Sequence, residues 1–150
     1  MTIGDKLPDF LGLNQDGKEI HAADFKGRKL ALYFYPKDLT SGCTAQACSL
    51  RDSYHDLLDN GYTVLGVSVD DDKKHRRFIE KHELPFDLIA DTDHRLVEMF
   101  GVWAEKKLYG RTYMGTLRTT FIFDAEGTLT HIINPKEVKT ATHASQILEL

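Results

Sequence analysis

Two short apolar runs with a helical pattern between them constrain the fold of this chain more than any other feature. Leu30–Phe34 is continuously apolar, and Thr63–Val69 is largely so. Runs of this length without polar alternation are typical of central strands that are covered on both faces. Between them, Cys43–Leu58 places apolar side chains at helical spacing along one stripe. This order of strand, helix and strand predicts an α/β fold.

Turn residues divide the rest of the sequence into further short elements. Asp9–Leu13 and Lys18–His21 flank a predicted turn and form an N-terminal β-hairpin. The other predicted elements are helices at Asp71–His82, Asp93–Phe100 and Thr140–Leu150, a strand at Phe86–Ala90, and a second hairpin formed by Thr119–Phe123 and Thr128–Ile133. Together they predict a mixed central sheet with helices on both faces. In such sheets the reactive groups collect where strands end.

Composition and charge narrow the class of protein. The 150 residues are 41% hydrophobic, which suits a single domain over residues 1–150 with a substantial core. A formal charge of −4 and the lack of a long basic stripe argue against nucleic acid as a partner. No apolar run approaches membrane-spanning length, and Met1–Lys6 lacks the features of a secretion signal. We therefore expect a cytoplasmic protein with no membrane partner.

Cysteine usage points to redox chemistry. Cys43 and Cys48 are the only two cysteines, too few for a disulfide framework. Cys43 falls in the first turn of the predicted helix, where free backbone N–H groups and the helix dipole favour an anion. A thiol at such a position ionises more easily, and the thiolate is the reactive form. The alternative is that Cys43 is an ordinary apolar core residue.

The residues around Cys43 resemble a known family. Pro36, Thr40 and Cys43 match the peroxiredoxin pattern Pro-x-x-x-Thr-x-x-Cys, and Tyr33–Asp38 together with Arg51–Asp52 is similar to the bacterioferritin-comigratory, or peroxiredoxin Q, subfamily. Arg118–Phe123 resembles a later segment of the same family. The similarity covers nearly the whole chain and implies a thioredoxin-like fold. The chain departs from many members by having Ser41 in place of proline and Gln46 in place of glutamate.

The resemblance implies a thiol-dependent peroxidase acting on hydrogen peroxide and organic hydroperoxides. Cys43 would attack the peroxide and become a sulfenic acid. Thr40 would hydrogen-bond at the site, Pro36 would shield the sulfur, and Arg118 would stabilise the thiolate and the peroxide oxygens. Each has a simpler alternative: Thr40 caps a helix, Pro36 ends a strand, and Arg118 is an exposed strand-end residue. Arg111, close by in sequence, is the competing arginine.

Cys48 would be the resolving cysteine, which attacks the sulfenic sulfur to form an intramolecular disulfide that thioredoxin reduces. Residues five apart on an α-helix lie roughly 140° around the axis and about 8.7 Å apart at Cα. Disulfides rarely span more than about 7 Å between Cα atoms. The first helical turns must therefore unwind before the sulfurs meet. The alternative is an external thiol that resolves Cys43. The subfamily implies a monomer, with a dimer as the other state to consider.

The histidines, the cysteine spacing and the aromatic residues allow other functions, which the sequence favours less than a peroxidase. The seven histidines are scattered and are expected at the surface, so neither a metal site nor a cofactor is predicted. A copper or thiol carrier on the same fold would use a cysteine pair and a histidine, but the spacing of Cys43 and Cys48 does not favour it. A general disulfide oxidoreductase would have Cys-x-x-Cys. Trp103, Tyr109 and Tyr113 could line a pocket or a contact surface, or could pack normally.

Overall fold

The computed structural model describes residues 1–150 and contains nine strands and five α-helices. The strands are β1 (Phe10–Leu13), β2 (Glu19–His21), β3 (Lys29–Phe34), β4 (Tyr62–Ser68), β5 (Asp87–Ala90), β6 (Trp103–Leu108), β7 (Arg111–Thr116), β8 (Thr119–Phe123) and β9 (Leu129–Ile133). The helices are α1 (Ser41–Asp52), α2 (Tyr54–Asp59), α3 (Asp72–His82), α4 (Arg95–Met99) and α5 (His143–Leu148). Short 3-10 helices occupy Ala22–Phe25 and Thr140–Thr142. None of the helices has the length and apolar character needed to cross a membrane.

Five strands form the central sheet in the order β5-β4-β3-β8-β9. β3 is parallel to β4, and β4 is parallel to β5, whereas β8 runs antiparallel to β3 and β9 antiparallel to β8. The N-terminal strands β1 and β2 pair separately as an antiparallel hairpin. The predicted mixed sheet and N-terminal hairpin are thus confirmed.

The central strand β3 is buried on both faces, which accounts for its continuous apolar sequence. Ala31 and Tyr33 pack in a cluster that includes residues of α1, α2, α3 and α5. Leu30, Leu32 and Phe34 pack on the opposite face with residues of α4 and the N-terminal hairpin. Since successive side chains of a strand point to opposite faces, helices on both sides require apolar residues at every position.

The predicted helix Cys43–Leu58 is wrong in its bounds and in its continuity. α1 begins at Ser41, and a break at Ser53 separates it from α2. Ser53 has φ −107° and ψ 15°, and its carbonyl accepts the first hydrogen bond of α2, from the N–H of Leu57. Asp52 and Ser53 are weak helix formers, so the chain changes direction there at low cost.

A hairpin formed by β6 and β7 has no counterpart among the predicted elements. Its strands pair with each other and not with the central sheet. Tyr109 and Gly110 connect them, both with positive φ, as tight hairpin turns require. Its strands carry charged and exposed side chains instead of an alternating apolar pattern. Tyr109 and Tyr113 are exposed, whereas Trp103 packs against His94 with ring centroids 4.3 Å apart.

Two of the histidines expected at the surface are fully buried. His75 lies in α3, and His143 is the first residue of α5. His143 Nδ1 is 2.9 Å from the side-chain oxygen of Gln146, which can only accept, so Nδ1 carries the proton. Nε2 then accepts a hydrogen bond of 2.7 Å from the hydroxyl of Thr120. Burial lowers the pKa of His143, and the charge of Arg118 lowers it further. The hydrogen bond to Gln146 raises the pKa, but the net shift is downward.

We predict that His143 makes the stability of the protein depend on pH. Its pKa in the folded state is below that of an unfolded histidine, about 6.5, so the unfolded chain binds the extra proton. The free energy of unfolding should fall as pH decreases below about 6.5, by at most about 1.4 kcal/mol per pH unit, and level off below the folded pKa. Urea denaturation at several pH values measures this contribution.

The comparison is between His143→Gln and the control His131→Gln, which replaces an exposed histidine. The wild-type protein should lose more stability than His143→Gln between neutral and mildly acidic pH, because glutamine cannot take up the proton. His131→Gln should follow the wild type. Parallel curves for wild type and His143→Gln would contradict the prediction.

Candidate active site

Cys43 lies in the first turn of α1, at the end of the sheet where β3 stops. Its side chain is 1% exposed, and it is a free thiol. The preceding residues form the loop between β3 and α1, in which Leu39 has a left-handed φ of 65° and Thr40 is extended. Cys43 therefore belongs to the first turn of α1, as the sequence predicts, and the N–H groups of that turn have few partners within the helix.

Arg118 reaches Cys43 because of how two strands pair. β8 is antiparallel to β3, with Thr119 opposite Phe34, so the start of β8 lies beside the end of β3. The NH2 group of Arg118 donates to Cys43 Sγ at 3.3 Å across a separation of 75 positions. A side chain at Gly42 would place its Cβ 3.3 Å from the same nitrogen, so glycine leaves room for the guanidinium. Arg111, the competing arginine, is exposed at the start of β7.

Gln46 fixes the other side of the guanidinium. The NH1 group of Arg118 donates to Gln46 Oε1 at 2.6 Å. Gln46 is fully buried, one helical turn after Cys43. The amide oxygen thus orients Arg118 without adding a negative charge beside the sulfur. Glutamate at position 46 would instead place a carboxylate at this contact.

Thr40 and Pro36 lie in the loop between β3 and α1. Thr40 is at the N-cap position of α1, and its carbonyl accepts from Thr44 N at 2.9 Å. Its hydroxyl does not cap the helix but donates to the carbonyl of Lys37 at 2.8 Å. The hydroxyl oxygen is then left as an acceptor. Pro36 directly follows Tyr35 and is half-buried.

A buried polar network, which sequence reasoning missed, holds the same loop. Asp38 accepts from the hydroxyl of Tyr35 and is paired with His75 Nδ1, both at 2.5 Å. The Asp38 and His75 side chains are completely buried. His75 Nε2 donates to the carbonyl of Ile89 at 2.8 Å, and Asp38 N donates to Asp70 at 2.7 Å. Burial raises the pKa of Tyr35, and the Asp38 carboxylate raises it further, so Tyr35 stays a donor.

Lys106 adds a second cation near the site, which the sequence did not indicate because the β6–β7 hairpin was not predicted. Lys106 is on β6, and its aliphatic stem packs beside Gly115 on β7. Burial lowers its pKa, Arg118 lowers it further, and the charge of Cys43 opposes both. The hairpin therefore brings positive charge toward the reactive sulfur.

Cys48 is half-buried on α1, on a different side of the helix from Cys43. Cys43 and Cys48 lie on one continuous helix. The geometry of an α-helix therefore sets their Cα atoms about 8.7 Å apart. Cys48 Sγ lies 3.9 Å from Nδ1 of His82, at the end of α3. No group of three His, Cys, Asp or Glu side chains is arranged to hold a metal ion.

A cavity of about 690 Å³ lies away from both cysteines. It is lined by Leu30 at the start of β3, by Phe25 and by the turn between β8 and β9. β3 ends near Cys43, so the cavity is at the opposite end of the strand. The candidate site is therefore defined by the buried sulfur and Arg118 and lies outside this cavity.

Known proteins of one family are similar to this chain over nearly its whole length. The model of the AhpC/TSA family matches residues 3–132. A putative peroxiredoxin bcp of Haemophilus influenzae is 48% identical over 93% of this chain and 90% of its own length. The peroxiredoxin Bcp of Bacillus subtilis is 44% identical over 99% of this chain and 94% of its own.

Solved structures agree with the sequence relatives. A cysteine mutant of the Xylella fastidiosa peroxiredoxin Q superposes with a TM-score of 0.89 at 30% identity, covering 99% of this chain and 94% of that one. The Xanthomonas campestris bacterioferritin comigratory protein, described with its alkyl peroxide reduction activity, gives a TM-score of 0.84 at 30% identity over 97% and 96% of the two chains. This chain therefore belongs to the AhpC/TSA family, in which it is a Bcp-type peroxiredoxin, a thiol peroxidase with a thioredoxin-like fold.

Proposed function

We propose that this chain reduces hydrogen peroxide and organic hydroperoxides through a Cys43 sulfenic acid, which Cys48 resolves as an intramolecular disulfide and thioredoxin reduces. The observation that carries the proposal is the contact of 3.3 Å between the guanidinium of Arg118 and the buried Cys43 sulfur. A permanent cation and a helix N-terminus both favour the thiolate. The alternative of a copper carrier is disfavoured because this cation would repel a metal ion at the same sulfur.

The first step transfers one oxygen atom to sulfur. The Cys43 thiolate attacks the terminal peroxide oxygen, an S–O bond forms and the O–O bond breaks, and the leaving oxygen takes a proton to become water or an alcohol. Arg118 stabilises the charge that develops on the two oxygens. The free lone pairs of Thr40 Oγ1 accept the peroxide hydrogen, since its own proton is donated to Lys37. Pro36 lacks an N–H and keeps water from the sulfur.

The second step requires movement. The Cα separation that α1 imposes on Cys43 and Cys48 exceeds the reach of a disulfide by about 2 Å. We propose that α1 unwinds within residues 40–51 after Cys43 is oxidised. The hydrogen bonds lost are offset by the new disulfide. The same opening exposes the disulfide to the dithiol of thioredoxin, which must reach a sulfur to exchange with it.

The remaining features of this function stay predictions. Alkyl peroxide reduction is the activity named for the Xanthomonas campestris relative, and it supports organic hydroperoxides as substrates here. From the sequence and the subfamily we propose that residues 1–150 form a single peroxiredoxin domain. We also propose that the protein is cytoplasmic and monomeric, with a dimer as the alternative. Size-exclusion chromatography with light scattering measures the oligomeric state.

Two cysteine variants test the assignment of roles. Reduced wild-type protein mixed with one equivalent of hydrogen peroxide in a stopped-flow instrument should oxidise far faster than a free thiol. Cys43→Ser should show no turnover, because its hydroxyl stays protonated at neutral pH. Cys48→Ser should keep the first oxidation but lose thioredoxin-dependent turnover and accumulate over-oxidised Cys43. Normal cycling of Cys48→Ser with thioredoxin would overturn the resolving role.

Arg118→Ala should slow the reaction of Cys43 with peroxide by about 10²-fold, the usual effect of removing one donor from such a site. The ultraviolet absorbance of the thiolate at neutral pH should fall as well, because the stabilising cation is gone. Arg111→Ala is the matched control, since this exposed arginine makes no contact with the sulfur. Unchanged kinetics and absorbance in Arg118→Ala would show that Arg118 does not act on the Cys43 thiolate.

Hydrogen exchange should distinguish the two redox states. In the reduced protein the amides of residues 43–51 are in a folded helix, whereas in the disulfide form they should exchange faster because the first turns unwind. Amides of β3 and β4 should stay protected in both forms and serve as the internal control. Equal protection of residues 43–51 in both forms, with the disulfide established by mass, would exclude the unwinding mechanism.

A further inference from the structure

The sulfur of Cys48, the proposed resolving cysteine, lies close to a histidine side chain. Nδ1 of His82 lies 3.9 Å from Cys48 Sγ. Both side chains are half-buried, so solvent protons reach the pair while packing restricts it. Cys43 has no such neighbour, because its polar contact is the permanent cation of Arg118. The two sulfurs therefore sit in different environments, one beside a permanent cation and the other beside an imidazole, the side chain most often used as a general base.

The imidazole of His82 is held in place on two sides. Arg51 of α1 donates to the backbone carbonyl of His82 at 2.8 Å. The ring packs edge-on against Phe78, with ring centroids 5.5 Å apart and an interplanar angle of 83°. α3 ends at His82, and Glu83 follows in the left-handed conformation. The last turn of a helix, with its free carbonyls, favours the positive charge that a protonated imidazole carries.

Cys48 is on the part of α1 that other elements anchor. The Arg51–His82 hydrogen bond ties the C-terminal turn of α1 to α3. Ser49 Oγ accepts from the N–H of Ala144 in α5 at 3.2 Å. No comparable tie to α3 or α5 holds Ser41 or Gly42, at the start of α1. Unwinding that starts at the N-terminus therefore brings Cys43 toward Cys48 before the Ser49 and Arg51 contacts are released, so Cys48 is still beside His82 when it attacks.

We propose that His82 is a catalytic general base for disulfide formation. This inference rests on the proposed function, in which Cys48 resolves Cys43. Nδ1 of His82 takes the proton of the Cys48 thiol, and the resulting thiolate attacks the sulfur of the Cys43 sulfenic acid. The S–S bond forms, the S–O bond breaks, and the departing hydroxide recovers the proton from His82 as water. Atoms and charge balance without any further reactant.

The pH dependence follows from the groups that face this pair. Arg51 from α1, which donates to the His82 carbonyl, and the buried hydroxyl of Tyr33 from β3 face it. Asp52 and Glu83 interact with Arg51 instead. Burial raises the pKa of Tyr33 first, and the charges of both cysteines raise it further, so Tyr33 does not compete as a base. Arg51 stays charged throughout. The pH dependence of disulfide formation is therefore that of proton transfer between the Cys48 thiol and the imidazole of His82.

The test separates the two chemical steps in His82→Asn, whose amide keeps polar contact with Cys48 but cannot carry the proton. Reduced protein is mixed with one equivalent of hydrogen peroxide, quenched with an alkylating reagent and analysed by mass for sulfenic acid and disulfide. Sulfenic acid should form at the wild-type rate. The disulfide should form at least about tenfold more slowly at pH 7. The deficit should shrink toward pH 9, because an ordinary thiol ionises unaided above about pH 8.5.

Two further variants make the result specific. His82→Ala leaves space beside Cys48, and added imidazole should raise its rate of disulfide formation in proportion to concentration. His55→Asn replaces an exposed histidine of α2 and should match the wild type at every pH. Excess peroxide should over-oxidise Cys43 more readily in His82→Asn than in His55→Asn, because the sulfenic acid lives longer.

Other outcomes contradict the proposal in distinguishable ways. The same slowing at pH 7 and pH 9, without rescue by imidazole, would make His82 a structural residue. Unchanged or faster disulfide formation in His82→Asn would show that the contact is not used as a base. A wild-type protein that forms no Cys43–Cys48 disulfide would overturn the resolving role of Cys48 itself, and with it this inference.

Discussion

A buried carboxylate and imidazole hold the loop that carries the reactive sulfur. The pair of Asp38 and His75 is inaccessible to solvent and joins the loop before α1 to α3 and to the end of β5. Removing one member of such a buried pair typically costs about 3–5 kcal/mol, because the other is left uncompensated. The residues before Thr40 are thereby fixed. The movement that the proposed Cys43–Cys48 disulfide requires would therefore fall in α1 and not in the sheet.

Strand register accounts for the rest of the site. The antiparallel pairing of β8 with β3 places Arg118 next to the strand end from which the chain enters α1. A shift of one residue would turn the side chains of β8 to the other face of the sheet. Apolar packing on both faces of β3 opposes such a shift. The same contacts that form the core therefore determine the distance between a cation and a sulfur 75 positions away.

The sheet, the first hairpin and the helix that carries Cys43 could be predicted because apolar periodicity reports directly on which faces are buried. The motif from Pro36 to Cys43 also located the reactive end of β3. What sequence patterns do not report is which polar groups meet after folding. The residues next to His75 in sequence are polar, as they often are for an exposed histidine, so they do not indicate that His75 is buried. Its partner Asp38 lies 37 positions away in the sequence. The β6–β7 hairpin lacked an apolar face, and the break at Ser53 follows from the weak helix propensity of Asp52 and Ser53, which apolar periodicity does not record.

That break between α1 and α2 has a consequence for repeated turnover. α2 keeps its own contacts with the sheet: Leu57 is fully buried, and Tyr54 packs on Phe86 with ring centroids 5.8 Å apart. Because the backbone changes direction at Ser53, the proposed unwinding of α1 would not pull these residues out of the core. Each oxidation cycle would then expose a few turns of helix and no large apolar surface. A protein that opens on every turnover in this way avoids the aggregation-prone intermediates that wider unfolding would populate.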